Sequence, residues 1–274
     1  MPPGTTILPR RSCAPPGPST ILVNMFTNIA EKGHAGEPQR RRGRPSGPTA
    51  QGLAMRRRLY QVAVRLFAQR GFEATTMRDI ASRARVSPAL LYRYFPGKRA
   101  LVMELHDELS QDFARRAAAL PAGTWRARFL FALRASLAAL EPHRETLVAL
   151  IPMLVSAREE GVFSRATDFA RERVQGIFHS AVSGASDAPR AAEAQALGRL
   201  LYLGHLGVLL WWLLDRSPEQ RATEALLVAL GKALAPVAFA LKLPATRRLA
   251  LELDAAAGAA LFGDGAGPAA EGAP

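Results

Sequence analysis

A single cysteine, Cys13, serves all 274 residues. One thiol closes no disulfide within the chain and builds no cysteine metal cluster, which fits a reducing compartment, so the expected location is cytoplasmic. No apolar run reaches the ~18 residues of a membrane span. The longest, residues 200–214, is broken by His205 and reads as a buried helix, so no membrane is expected. The apolar stretch at residues 21–26 is too short, and too polar at its edges, for a secretory signal. No stretch of useful length alternates apolar and polar residues as strands do. His143, His179 and His205 fall on different expected helices without metal-ligand spacing. A nucleophile elbow, a phosphate-binding glycine loop and a cysteine near a histidine are all missing. Catalysis is disfavoured, and no cofactor or metal is expected.

What the chain does have is apolar mass and concentrated positive charge. Hydrophobic residues make up 49 % of it, enough for a sizeable core. Residues 40–99 hold 15 Lys/Arg against two acids, Glu73 and Asp79, a surplus equal to the net charge of the whole chain, +13. A charge run is usually a solvated face. A surplus confined to one segment points instead to a polyanion.

Residues 1–50 are rich in Pro, Gly, Ser and Arg without apolar periodicity, and read as a disordered basic arm. Met25 and Met55 are later possible translation starts. Within the arm, Arg41, Arg42 and Arg44 flank Gly43 and precede Pro45. Arginine on a thin, extended backbone suits the narrow minor groove of DNA.

A first helix is expected over about residues 51–70, its stripe formed by Leu59, Val62, Ala63, Leu66 and Phe67, with Gly71 as terminator. Thr75 or Thr76 caps a second. Ser87 caps a third with Pro88 at its first position, and Leu91 and Phe95 anchor it. A fourth over residues 97–120 carries Leu101, Leu105, Leu109 and Phe113. Further helices are expected to about residue 257, with a kink at Pro152 and a capping box at Ser217-Pro218-Glu219-Gln220. The expected fold is all-α. A three-helix helix-turn-helix head (51–100) is followed by a larger helical ligand-binding and dimerisation domain (101–257) and a disordered tail (258–274).

Thr76, Ile80, Ala81, Val86, Ser87, Leu91, Tyr92, Tyr94, Phe95, Lys98 and Leu101 stand at a spacing that resembles the tetracycline-repressor (TetR) family of bacterial regulators. The likeness covers about residues 55–103, and later residues match only in architecture. It implies a ligand-responsive repressor, a homodimer on palindromic double-stranded DNA. It also implies groove-facing roles for Ser87, Ala89, Leu90 and Arg93, and phosphate contacts for Thr76, Tyr92, Tyr94 and Lys98. The physics agrees: hydroxyls, amines and helix N-termini hold phosphates, while base edges carry the sequence.

Two residues depart from the family pattern. Arg85 stands where relatives carry glycine, costing ~1 kcal/mol if the turn needs a positive φ. Leu90 replaces a small or polar residue, and is either core beside Leu91 or a contact to a thymine methyl.

The ligand is expected to be small and largely apolar. Met153, Phe169, Phe178, His179, Tyr202, His205, Trp211 and Trp212 are pocket candidates, each weighed against plain core packing. His205 is the best polar one, because an apolar helix buries a histidine only where something satisfies it. Gly198, Gly204 and Gly207 permit close helix approach. The helices at residues 190–215 and 217–242 are expected to form the homodimer as a four-helix bundle. The alternative is a DNA architectural protein, which has no use for a large apolar C-terminal region.

Overall fold

The computed structural model describes residues 49–154 and 163–262. Among the described residues every regular element is helical, as the absence of alternation predicts. The head consists of α1 (Ala50–Arg70), α2 (Met77–Arg83) and α3 (Pro88–Tyr94). Thr49 caps α1, its hydroxyl accepting from the Gly52 amide at 3.1 Å. Gly71 ends α1 with φ 83°, open to a residue without Cβ. A full capping box opens α2: the Asp79 amide donates to the Thr76 hydroxyl at 3.1 Å, and the Thr76 amide donates to the Asp79 carboxylate at 2.9 Å. Ser87 caps α3 by accepting from the Leu90 amide at 3.2 Å, with Pro88 at the first position as expected. Leu59, Phe67, Ile80, Leu91 and Phe95 close the head's interior with no exposed surface.

The chain continues as α4 (Lys98–Ala117), α5 (Trp125–Leu140), α6 (Arg144–Leu154), α7 (Asp168–Ser183), α8 (Ala191–Leu214), α9 (Arg221–Ala240) and α10 (Pro244–Ala257). The boundary drawn at residue 100 does not interrupt the packing. Leu101, Val102 and Leu105 of α4, Leu150 of α6 and Trp212 of α8 share one buried cluster with Leu59, Phe67 and Leu91 of the head. A second cluster, with Phe113, Phe129, Leu133, Phe178 and Tyr202, joins α4, α5, α7 and α8. Here α7 and α8 touch closely: a Cβ on Gly198 would stand 2.9 Å from the His179 Cα. The glycine permits that approach, as expected for Gly198, whereas Gly204 and Gly207 face open space.

Two expectations need correction. The capping box at Ser217–Gln220 does not form. The Gln220 side chain instead accepts from Trp212 Nε1 at 2.5 Å and donates to the Glu141 carboxylate at 3.1 Å, so it cannot fold back onto Ser217. The first turn of α9 is capped by two side chains: the Ser217 hydroxyl accepts from the Ala222 amide at 2.9 Å, and Asp215 accepts from the Thr223 hydroxyl at 2.6 Å, the Thr223 amide at 2.9 Å and the Ser217 amide at 2.8 Å. The donors to Asp215, the Thr223 hydroxyl first, hold its carboxyl well below the usual range. Second, residues 258–262, assigned to the frayed tail, form a π-helical turn, and Phe262 rests 6.3 Å from the Tyr202 ring.

Candidate DNA interface and ligand cavity

On α3, Ser87, Ala89, Tyr92 and Arg93 are exposed, while Leu91 is fully buried. Leu90 is half-buried, so it lies outside the inward stripe. A helix of seven residues, ~10 Å long, fits a major groove ~12 Å wide. Arg85 has φ 53°, in the left-handed region where glycine is favoured, so the turn carries the strain its sequence implied.

The expected phosphate ligands differ in how free they are. Tyr92 is 52 % exposed. The Thr76 hydroxyl is exposed but donates to Asp79 at 2.6 Å, so a phosphate contact there competes with the cap. Lys98 staples the start of α4 to the turn after α1, donating to the carbonyls of Phe72 at 2.7 Å and Glu73 at 3.4 Å, with its ammonium 4.3 Å from the Phe72 ring centroid. An ammonium has three donors, so one remains for a phosphate. Tyr94 is half-buried beside the first turn of α1, its hydroxyl 3.8 Å from where a Cβ on Gly52 would stand. Arg41, Arg42 and Arg44 lie outside the described residues.

Not every cation of the head is available to a polyanion. Arg58 donates to the Ala84 carbonyl at 2.9 Å. Arg56, grouped by sequence with the free basic surface, donates to the Tyr94 carbonyl at 3.0 Å and pairs with Glu104 of α4 at 2.5 Å. Its guanidinium also sits 4.5 Å over the Phe95 ring. One side chain thus ties α1, the end of the recognition helix and α4. A basic residue on the outer side of a helix gives no sequence signal for such a role.

In the larger domain a cavity of about 130 Å³ lies among α4, α5, α6, α7 and α8. Its wall is leucine-rich, from Leu105 and Leu109 of α4 to Leu206 and Leu209 of α8. Of the eight pocket candidates, Tyr202, His205 and Trp212 line it. The other five do not. Phe169 is 70 % exposed and lies under the Arg173 guanidinium at 4.5 Å, and Trp211 is 49 % exposed. Met153 and Phe178 are buried core, each in a different cluster. His179 sits at the close approach of α7 to Gly198. Phe169 and Trp211 point outward; size and apolarity do not say which side of a helix faces inward.

His205 is 3 % exposed, with Nε2 2.8 Å from Ser136 Oγ and Nδ1 without a partner among the described residues. Burial pushes its pKa down to about 3. His106, which the sequence reading passed over, also lines the cavity, and burial lowers its pKa against the pull of Asp107. Burial also pushes the Tyr202 hydroxyl up to about 12. The wall groups are therefore neutral at pH 7, apart from Arg171, which Asp168 pairs at 2.5 Å. No group of three or more His, Cys, Asp or Glu that could hold a metal occurs among the described residues. The helices at Ala191–Leu214 and Pro218–Ala240 are long and apolar enough to cross a membrane by length and composition alone.

A short capped helix presented outward over a closed three-helix core defines a helix-turn-helix DNA-binding regulator. The family described as bacterial regulatory proteins, tetR family, matches residues 59–105. The HTH-type transcriptional regulator BetI of Brucella anthropi is 30 % identical over 158 residues, 55 % of this chain and 80 % of that protein. The HTH-type transcriptional repressor KstR2 of Rhodococcus jostii is 39 % identical over 61 residues, 22 % of this chain and 30 % of that protein. A tetR-family regulator of known structure from Streptomyces coelicolor is 25 % identical with a TM-score of 0.52, covering 74 % of this chain and 89 % of that one. The chain belongs to the TetR family and is a DNA-binding transcriptional regulator.

Proposed function

We propose that this regulator is a cytoplasmic repressor that binds a palindromic operator as a homodimer and leaves it when a small, largely apolar molecule enters the cavity. The carrying observation is the course of α4. Its Leu105 and Leu109 wall the cavity, while Lys98 and Glu104 fasten the same helix to the head through Phe72, Glu73 and Arg56. A ligand that prefers another α4 position thereby changes the spacing of the two heads. It releases DNA only through that difference in affinity between the two states.

In this reading Ser87, Ala89, Leu90 and Arg93 meet base edges, and Tyr92, Tyr94, Thr76 and Lys98 hold phosphates. Arg41, Arg42 and Arg44, a few residues before α1 in the sequence, are assigned to the minor groove. The dimer forms through the outward faces of α8 and α9, where Leu210, Trp211, Leu214, Val228, Val237 and Phe239 are exposed.

Footprinting with the full chain tests the proposal. Short, positioned, two-fold protection that a cavity ligand abolishes is the expected result. Broad protection without position would return the reading to an architectural protein.

A further inference from the structure

The chemistry of the cavity wall says what kind of molecule fits, and this inference rests on the reading of the cavity as the regulatory site. About 130 Å³ is close to the ~150 Å³ of an apolar cavity that holds one benzene. Among the described residues lining it there is no carboxylate, so a cation would be buried without a partner. The sole arginine of the lining, Arg171, already has Asp168, so a buried anion would have to compete for it. Of the neutral polar side chains in the lining, His106, Ser110, Ser136, Tyr202 and His205, only His205 has a buried atom without a partner among the described residues: its Nδ1, while its Nε2 lies against the Ser136 hydroxyl. A buried ring nitrogen without a partner destabilises a folded protein, a penalty that a ligand group can remove.

We propose that the ligand class of this cavity is an uncharged, ring-sized apolar molecule carrying one hydroxyl or carbonyl, seated with that group at the Ser136–His205 pair. A hydroxyl suits the pair in either imidazole tautomer, because it donates and accepts. The apolar body packs against Leu105, Leu109, Leu206 and Trp212, which supply most of the affinity.

The test uses the full chain and four probes built on one benzene ring: phenol, toluene, benzoate and benzylammonium, titrated calorimetrically. Phenol and toluene are expected to bind, and both ions to bind about tenfold more weakly or not at all. His205→Leu removes the unpaired ring nitrogen, and should lower the ratio of phenol to toluene affinity by about threefold to tenfold, the worth of one buried hydrogen bond. His205→Phe should lower the same ratio, and its melting curve shows whether it is folded. Either ion binding as tightly as phenol overturns the proposal. So does the failure of both neutral probes, or a ratio that both folded His205 variants leave unchanged. Phenol that binds as expected but leaves the operator complex intact would sink ligand release and leave the ligand class standing.

Discussion

Helices α8 and α9 follow one another, and the stretches Ala191–Leu214 and Pro218–Ala240 each contain an 18-residue window of mean hydropathy 1.5. They are used differently. On α8, Leu197, Leu201, Tyr202, His205, Val208 and Trp212 are buried within the chain's own interior. On α9 only Thr223 and Leu227 are. Hydropathy counts apolar residues but not what covers them. The apolar content of α8 is largely consumed at the seam with α7 and at the cavity, while Val228, Val237 and Phe239 of α9 are bare in the single chain. An uncovered apolar face of that kind marks an interaction surface.

The contrast can be broken most sharply within α8 itself. Trp212→Ala should cost about 3–5 kcal/mol of stability, because a fully buried indole leaves a large void. Trp211→Ala, one residue away and half exposed, should change stability by about 0.5 kcal/mol or less when measured in a monomeric background, where the proposed dimer face makes no contact. Denaturant melts of both variants decide this, and equal losses would mean that the two faces are misassigned.

The next effect concerns assembly. Leu210→Glu with Val228→Glu should give monomers by sedimentation and weaken operator binding by about 100-fold, the gain that linked heads draw from effective concentration. Leu234, which helical pattern alone would select, packs on the chain's own second cluster and would confound the result. A double variant that stays dimeric places the interface elsewhere.

Glycine replacements sharpen the same difference. Gly198→Ala drives a Cβ against the α7 backbone and should cost about 1–3 kcal/mol. Gly231→Ala on α9 meets only the end of Leu130 at 3.3 Å, and should be neutral or gain up to about 1 kcal/mol from helix propensity.

Acid acts on α8 through His205. The pKa of His205 falls from 6.5 in the unfolded chain to about 3 in the folded one, so the unfolded state binds the proton first. The stability this contributes is complete above pH 6.5 and is lost as pH falls toward 3, with a slope of at most about 1.4 kcal/mol per pH unit. His106, shifted in the same direction, adds to the loss. His205→Phe should flatten the slope in urea melts at pH 4–7, and an unchanged slope would mean that His205 does not titrate this way. The smallest effect lies in neither helix. Arg85→Gly should relieve the left-handed turn by about 1 kcal/mol, visible as a modest rise in Tm.

The head was readable because its rules are local. Ser87-Pro88, the Thr76–Asp79 box and the spacing of Leu91 and Phe95 each act within four residues, and the structure keeps them all. The cavity was not, because it is made between helices. Ser136 and His205 are 69 residues apart, and only packing makes them neighbours. His106 follows Leu105 directly on an inward stripe, a faint signal that its burial could have been inferred from. Ser217 caps the Ala222 amide without closing a box, because Gln220 is claimed by Trp212 and Glu141, partners 8 and 79 residues away.

The shared interior of head and α4 has one more consequence. Leu59, Leu91, Leu101, Leu150 and Trp212 belong to a single cluster, so the reading head has no folding transition of its own to undergo. The whole should melt in one cooperative step, and a fragment ending at residue 100 would expose the seam that α4 and Trp212 now close. Occupancy of a site walled by α8 is then felt as thermal protection by α3, which touches no part of it.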